Sequence, residues 1–383
     1  MFDRRSFLIF STLQSFFLTP SLCLPTNLKN KKKINSKTRN HKPIFFPKDH
    51  GAHFNHKIEW WYLTGYLDSD SGEQFAYQVT FFRNKTFIGD NNKSKFAPKH
   101  IIFAHATLIS KSFGLLYFQQ KSGRMGIGLI KCSDKDTNLQ FEDWYLLRDM
   151  QGDFYRTKIR TDKFNIDLTS NAIKKNKSII LRGNEGLSRK GPDSSQYSWY
   201  YSRPNLKTNG VIGFNNKKYR VEGTSWLDHE WSNELLHPDA VGWDWIGINL
   251  LDGGSLMSFK IRRDNGTTLW SDFSMLDENG HEHYFLSDRN HENRKNHKTK
   301  MNWIVIRRWT SPNSFATYPI SQRIIIGTLI MEVHPLFDDQ EIDARASTGG
   351  FYWEGSVGVY VRQKLIGRGF LEMTGYSKPL KLS

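Results

Sequence analysis

Several carboxyl side chains in this sequence of 383 residues stand beside aromatic residues. Residues 228–231 read Asp-His-Glu-Trp, and Asp244 lies between two tryptophans. Burial against apolar rings disfavours the charged form of a carboxyl group and raises its pKa. A carboxyl group that keeps its proton near neutral pH can act as a general acid. We therefore take Asp228, His229 and Asp244 as the candidate catalytic residues.

Two further acids have aromatic neighbours. Glu59 precedes two tryptophans and Glu354 follows one. The expected lining of a ligand cavity comprises Glu59, Trp61, His105, Tyr201, Trp231, Trp243, Trp245 and Glu354. An alternative stays open in which these acids and Asp228 are structural, because buried carboxyl groups usually pair with cations. Arg83 and Arg262 are the candidate partners for that pairing.

The alternation of side chains along a strand restricts which residues of the 228–231 run can act together. On an extended strand, Asp228 and Glu230 face one way, whereas His229 and Trp231 face the other. Only one of these two pairs can therefore line a cavity.

Other kinds of site find little support in the sequence. His50, His53 and His56 have a spacing that matches no standard helix-borne zinc site. The sequence also contains no nucleophile elbow, phosphate-binding loop or dinucleotide fingerprint. We therefore expect no metal and no cofactor.

The candidate residues lie in segments with the periodicity of strands. Residues 74–83 and 255–262 alternate apolar and polar side chains, and further β-rich runs include 101–109, 324–331 and 351–361. Clusters of Asp, Asn, Ser and Gly separate these runs, and sustained helical patterns are nearly absent. This pattern predicts an all-β protein built from antiparallel barrels or sandwiches.

A weak internal repeat appears when the chain is shifted along itself by about 182 positions. Trp61 then aligns with Trp243, Gly65 with Gly247, and the turn that ends at Gly72 with a second glycine-containing turn. The repeat therefore predicts that each half begins with the same hairpin of aromatic strands. We predict two similar domains, at residues 43–238 and 239–383.

The N-terminal segment has the features of an export signal. Arg4 and Arg5 precede an apolar stretch at residues 7–18, which is typical of a twin-arginine signal peptide over residues 1–23, and the Sec export route stays open as the alternative. A basic, polar linker is predicted at 24–42. Removal of the signal near Cys23 would leave Cys132 as the one cysteine, so no internal disulfide is expected. We predict a periplasmic or secreted bacterial protein.

The net charge of +16 is unevenly distributed, since about half of it lies in the first 42 residues. The basic part of this segment, and a second polar stretch at 291–300, contain few apolar residues and are typical of solvated chain. We therefore expect no nucleic-acid partner.

Several sequence blocks resemble the carotenoid 1,2-hydratase (hydroxyneurosporene synthase) and AttH-like family. The similar blocks are residues 49–53 (Asp-His-Gly-Ala-His), 58–65 (Ile-Glu-Trp-Trp-Tyr-Leu-Thr-Gly), 103–106, 200–202, 221–231, 242–245 and 351–355. The resemblance extends from about Pro47 to Tyr376. It implies two lipocalin-like β-barrels with space for an apolar ligand.

The same resemblance implies a role for the His-x-Trp element, here His229 and Trp231. In the hydratases this element is tied to activity together with an aspartate on the following strand. Residues 254–260, the corresponding region of this chain, contain no acid.

Two functional hypotheses follow. The first is an exported carrier of a lipid or isoprenoid-like molecule, with a membrane exporter complex as a candidate partner. Such a carrier should have an apolar cavity whose acids are all paired. The second is a cofactor-independent hydratase, isomerase or cyclase. It requires an unpaired acid that faces the cavity, because an alkene must be protonated on carbon.

Overall fold

The computed structural model describes residues 42–380, apart from residues 89–90, 95, 127, 173–177, 235 and 287–300. The predicted signal peptide, almost all of the basic linker and the polar stretch at 291–300 lie outside the described residues, and they stay predictions. Within the described part, one short 3-10 helix (Lys48–His50) accompanies 23 strands. None of the described helices is long and apolar enough to cross a membrane.

The first of two antiparallel sheets contains the first thirteen strands. They are β1 (Ile58–Ser69), β2 (Gln74–Lys85), β3 (His100–Ser110), β4 (Leu115–Arg124), β5 (Ile130–Cys132), β6 (Asn138–Phe141), β7 (Trp144–Asp149), β8 (Phe154–Arg160), β9 (Phe164–Ala172), β10 (Ile180–Leu181), β11 (Leu187–Arg189), β12 (Tyr197–Phe214) and β13 (Lys217–Glu234). The order is β4-β3-β2-β1-β13-β12-β9-β8-β7-β6-β5, and β10 and β11 both pair with β12.

The second sheet contains the remaining ten strands. They are β14 (Gly242–Leu250), β15 (Ser255–Arg262), β16 (Thr268–Leu276), β17 (Glu282–Leu286), β18 (Met301–Thr310), β19 (Thr317–Ile326), β20 (Leu329–Pro335), β21 (Glu341–Asp343), β22 (Phe351–Val361) and β23 (Lys364–Met373). The order is β17-β16-β15-β14-β23-β22-β20-β19-β18, with β21 paired to β22.

Both sheets have the same arrangement around their first strand. The first strand of each sheet lies between the second and the last, so that β1 contacts β2 and β13 while β14 contacts β15 and β23. The first sheet ends at β4 and β5, and the second ends at β17 and β18. The shared order of strands around β1 and β14 is the structural form of the internal repeat. The all-β, lipocalin-like fold class is therefore confirmed. The predicted boundary between residues 238 and 239 falls in the connection from β13 to β14.

The repeated glycines explain part of the internal similarity. Gly65 and Gly247 both lie within the first strand of their sheet. A Cβ atom at Gly65 would lie 2.4 Å from the ring of Tyr77, and one at Gly247 would lie 2.4 Å from the ring of Trp245. Both positions therefore need glycine because an aromatic side chain covers the strand there.

One predicted strand is divided in the structure. Residues 324–331 form the end of β19 and the start of β20, which pair with each other. Gly327 has a φ of 60°, a left-handed conformation that glycine adopts readily and that reverses the chain here. The hairpin was not predicted because the sequence is apolar on both sides of Gly327.

Three of the four apolar clusters among the described residues show how the two halves are filled and joined. One cluster fills the first barrel and includes Trp61, and a second fills the other barrel and includes Trp353. The third joins the halves, with Tyr62 and Trp226 from the first sheet against Trp245 from the second. Because Trp61 and Tyr62 are consecutive on β1, strand alternation directs one ring into the barrel and the next into the junction. The junction is thus built from aromatic side chains.

Candidate active site at the junction of the two halves

A buried polar cluster closes one end of the first barrel around Glu59. Arg83 Nε donates to Glu59 Oε2 at 2.8 Å, and ring nitrogens of His229 and His53 lie 2.9 and 2.7 Å from Glu59 Oε1. Burial by itself would raise the pKa of Glu59, but hydrogen bonds from His229 and His53 hold it well below its usual range. Glu59 is therefore an ionised structural group, paired with Arg83.

The polar cluster continues through side chains of the sequence blocks. The Tyr201 hydroxyl lies 3.2 Å from His229 Nδ1 and 2.8 Å from Nδ1 of His50. Trp231 stacks on His53 with ring centroids 3.7 Å apart, and Trp61 stacks on His229 at 4.4 Å. Many of the polar and aromatic residues in the sequence blocks therefore belong to one packed cluster. This cluster holds the region of the 3-10 helix against the end of the first barrel.

The ring nitrogens of His53 and His229 and a carboxylate oxygen of Glu59 lie within 4.8 Å of one another, a spacing that a metal ion can use. These same atoms already bond to each other, and Arg83 takes the other Glu59 oxygen. The contacts are those of a hydrogen-bonded cluster, in which a cation already balances the carboxylate charge.

A cavity of about 800 Å³ lies between the two halves. Aromatic rings from both sheets line it, including Trp60, Phe82 and Phe103 from the first and Trp243, Trp245 and Phe259 from the second. Its carboxyl groups are those of Glu59, Asp228, Glu230, Glu354 and Glu372. Predicted lining residues Glu59, His105, Trp243, Trp245 and Glu354 do contact the cavity. Trp61, Tyr201 and Trp231 instead lie in the core of the first barrel.

Strand alternation separates the predicted catalytic residues. Asp228 and Glu230 line the cavity, whereas His229 belongs to the Glu59 cluster on the opposite face of β13. On β14, Trp243 and Trp245 line the cavity while Asp244 faces away from it.

Asp244 is buried and fully compensated. Lys260 Nζ lies 3.0 Å from Asp244 Oδ2, Arg262 Nε donates to Oδ1 at 2.9 Å, and the Tyr376 hydroxyl donates to Oδ1 at 3.0 Å. Burial would raise the pKa of Asp244, but the charges of Lys260 and Arg262 lower it below its usual range. An ionised carboxylate outside the cavity cannot supply a proton to a ligand, so we revise the candidate acid.

Glu354 and Glu372 form a second kind of carboxyl environment. They lie directly opposite each other on β22 and β23, and both line the cavity. Burial raises the pKa of both groups, and the charge of Glu372 raises that of Glu354 further. Trp243 Nε1 donates to Glu372 Oε2 at 3.0 Å, whereas Glu354 Oε1 is buried without a hydrogen-bond partner among the described residues. Two like charges at this separation disfavour double ionisation.

Asp228 is a third acid at the cavity wall. It accepts hydrogen bonds from the Tyr200 hydroxyl at 2.6 Å, the Ser202 hydroxyl at 2.5 Å and Trp226 Nε1 at 2.8 Å. Burial outweighs these bonds and raises the pKa of Asp228 to about 6. Unlike Glu354, Asp228 has its oxygen atoms occupied by donors, which makes it a weaker candidate for proton delivery.

Glu372 was not anticipated from the sequence. Nothing in its immediate neighbours, Leu371 and Met373, distinguishes it from an ordinary strand residue. Its importance comes from the pairing register of β22 and β23, which sets it opposite Glu354.

Comparison with known proteins adds a family relationship. A family model described as AttH-like matches residues 37–376. A crystal structure of a candidate AttH from Nitrosomonas europaea is 37% identical, with a TM-score of 0.78, and the match covers 88% of this chain and 98% of that one. Kievitone hydratase from Nectria haematococca shares the fold at 14% identity, with a TM-score of 0.64 and coverage of 92% and 98%. No curated protein matches the chain.

The contrast between Asp244 and Asp228 predicts different costs of neutralisation. Asp244→Asn should lower the free energy of unfolding at pH 7 by about 3 kcal/mol, because it leaves Lys260 and Arg262 buried without their counter-charge. Asp228→Asn should cost less than about 1 kcal/mol, because the raised pKa of Asp228 means that its charge already opposes folding. The amide oxygen can still accept from Ser202 and Trp226, which donate to the same carboxylate oxygen. Urea unfolding of both variants measures this difference, and equal losses would contradict the two assignments.

The raised pKa of Glu372 predicts a pH-dependent penalty on folding. A folded-state pKa above that of the unfolded chain costs stability as the pH rises from the unfolded value through the folded one. Glu372→Gln should therefore gain at least about 1 kcal/mol relative to wild type between pH 5 and pH 8. The exposed control Glu222→Gln should show no such gain in the same unfolding experiments. A gain that is absent, or equal in the control, would refute the buried-pair interpretation.

Proposed function

The chain belongs to the AttH-like family, and from this premise we propose that it is a cofactor-independent acid catalyst that adds water to a carbon–carbon double bond of an apolar substrate. The observation that carries this proposal is the state of Glu354. Its Oε1 atom is buried, and the side chain lines the cavity with a raised pKa. An acid in this state is protonated and available to a bound ligand.

The carrier hypothesis fits the cavity less well. A pure carrier should pair every buried acid, because an unpaired polar atom in an apolar wall costs free energy. Glu59 and Asp244 are compensated in that way by Arg83 and Arg262. Glu354 instead faces Glu372, another acid, which increases the cost. A protein that tolerates this cost at the cavity wall is better explained by catalysis than by storage.

The proposed reaction needs one proton and two carboxyl groups. Glu354 transfers its proton to one alkene carbon, and the π-electron pair becomes the new C–H bond. The positive charge left on the neighbouring carbon is stabilised by the aromatic faces of the cavity, such as those of Trp60 and Trp245. Water then forms the C–O bond and loses a proton to the Glu372 carboxylate. Return of that proton from Glu372 to Glu354 completes the cycle, and one water molecule has been added.

The cavity also indicates the class of substrate. Small-molecule sites typically have volumes of about 300–1,000 Å³ and mostly apolar walls, and a volume of about 800 Å³ lies within this range. We propose an isoprenoid-like alkene as the substrate. Export to the periplasm and contact with a membrane exporter are kept as proposals that rest on residues 1–23.

Replacement of the acid should abolish turnover. A panel of isoprenoid alkenes is incubated with the protein in isotopically labelled water, and mass spectrometry measures transfer of one labelled oxygen to the product. Glu354→Gln should reduce the rate by at least about 100-fold, because proton transfer by a positioned group contributes that much. Glu222→Gln, an exposed carboxyl-to-amide control outside the cavity, should leave the rate unchanged.

The product distinguishes related chemistries. An isomer without labelled oxygen would indicate that the cation loses a proton instead of capturing water, which is isomerase or cyclase chemistry at the same acid. Wild-type turnover by Glu354→Gln would refute the assignment of the acid. Tight binding of the alkenes with no conversion would favour the carrier function.

A further inference from the structure

The two members of the Glu354–Glu372 pair have different hydrogen-bonding neighbours. We propose that a chain of hydrogen bonds through Ser347, His105 and Tyr352 keeps the shared proton on Glu354 and leaves Glu372 as the member that ionises first. The inference deepens the proposed function and rests on it, since it assigns acid and base within that reaction. Tyr352 and His105 are positioning residues here, because they act through Glu354.

The donor-to-acceptor direction of this chain of hydrogen bonds is set at Gln120, the end farthest from Glu354. Gln120 Nε2 donates to the carbonyl oxygen of Asp343 at 3.0 Å, which leaves Gln120 Oε1 as an acceptor. The Ser347 hydroxyl donates to Gln120 Oε1 at 2.5 Å. The carbonyl oxygen of Ala344, at 3.2 Å, is a second acceptor for this hydroxyl. Since its one hydrogen goes to one of these two oxygens, Ser347 Oγ accepts from His105 Nε2 at 2.7 Å.

His105 extends the same donor-to-acceptor direction from Ser347 to Tyr352. Its side chain is fully buried and lies beside the rings of Phe82 and Phe118. Burial lowers the pKa of His105 to about 3, so the ring is neutral and carries one N–H. That hydrogen lies on Nε2, because Nε2 donates to Ser347. Nδ1 is then an acceptor, and the Tyr352 hydroxyl, 2.9 Å away, must donate to it.

Tyr352 therefore reaches Glu354 with its hydrogen already used. Tyr352 and Glu354 lie two residues apart on the same face of β22, and both line the cavity. The Tyr352 hydroxyl is also a hydrogen-bonding neighbour that affects the pKa of Glu354. With the hydrogen directed to His105, only the oxygen is left for Glu354, and it can accept a hydrogen bond from a protonated carboxyl group. Tyr62 also faces Glu354, but its hydroxyl can rotate to donate or accept and sets no preference.

Glu372 meets the opposite kind of neighbour. Trp243 Nε1 is a donor only, and it donates to Glu372 Oε2 at 3.0 Å, which stabilises the carboxylate. The negative charges of Asp228 and Glu230 repel a charge on Glu372 and raise its pKa, so ionisation of Glu372 costs free energy. The neighbours nonetheless differ in kind, with an acceptor at Glu354 and a donor at Glu372. The hydrogen bonds also cross the junction between the two sheets, since His105 lies on β3 and Tyr352 on β22.

Infrared titration tests the location of the proton without any substrate. The carbonyl stretching band of protonated carboxyl groups is followed from pH 5 to pH 9 in the full chain, and spectra of Asp228→Asn identify the contribution of Asp228. The buried protonated band should persist to a higher pH in Glu372→Gln, which keeps Glu354, than in Glu354→Gln, where Glu372 ionises near its pKa of about 7. The opposite order, with the band persisting to a higher pH in Glu354→Gln, would overturn the assignment.

A matched pair of variants tests the role of His105. In His105→Gln the side-chain amide can donate to Ser347 and accept from Tyr352, so the titration should match wild type. His105→Phe fits among the neighbouring rings but removes the acceptor, which frees Tyr352 to donate to Glu354. The midpoint of the buried band should then fall by about one pH unit, the size of one added hydrogen bond to the carboxylate.

The outcomes separate this inference from the proposed function. Equal midpoints in wild type, His105→Gln and His105→Phe would show that these hydrogen bonds do not affect the protonation of Glu354. That result would overturn the inference, whatever the protein catalyses. A midpoint shift with no alkene turnover would support the proton assignment and count against the reaction. The amide band reports folding. If His105→Phe does not fold, Ser347→Ala at a half-buried loop position removes the acceptor for His105 Nε2 and should lower the midpoint in the same direction.

Discussion

Two carboxyl groups that face each other across neighbouring strands, inside an aromatic junction, cannot both be ionised without a large cost in free energy. Glu354 and Glu372 are held in this position by the register of β22 and β23. β23 also pairs with β14, the strand that carries Trp243 and Trp245. The pairing of β23 with β14 and β22 therefore places the acid pair beside these tryptophans. The cavity lies where the two sheets meet.

Other buried acids of the protein are paired with cationic side chains that stabilise their negative charge. Glu59 is surrounded by Arg83, His53 and His229, and Asp244 by Lys260 and Arg262. Asp244 lies outside the cavity, and Glu59 reaches the cavity wall with Arg83 as its counter-charge. Glu230, also at the wall, is paired with Lys190 at 2.9 Å. The Glu354–Glu372 pair differs from these acids because each carboxyl group faces another acid instead of a cation. This division gives a physical reason to assign chemistry to the junction rather than to the polar cluster.

Much of the architecture followed from local patterns, whereas the acid pair did not. Alternation along residues 228–231 correctly separates Asp228 from His229, and the repeated glycines Gly65 and Gly247 mark equivalent strands. The same alternation rule, applied to β14, places Asp244 away from the cavity once the orientation of its tryptophans is known. Glu372 could not be found in this way, because its significance depends on which strand becomes its neighbour. The contact of His105 with Tyr352 joins residues 247 positions apart, and no local pattern reports it.

The position of the acids also bears on how motifs should be interpreted in this fold. The His-x-Trp element suggested a partner acid on the strand that follows it, yet β15 contributes Phe259 and Ile261 to the cavity and uses Lys260 in the Asp244 ion pair. His229 and Trp231 meanwhile pack within the Glu59 cluster. In this chain the acids come from β22 and β23, on the other side of β14. Because β15 and β23 both flank β14, an acid on either strand is placed beside the same aromatic strand. A change of the strand that supplies the acid would therefore preserve the cavity and alter only the direction from which a proton reaches the ligand.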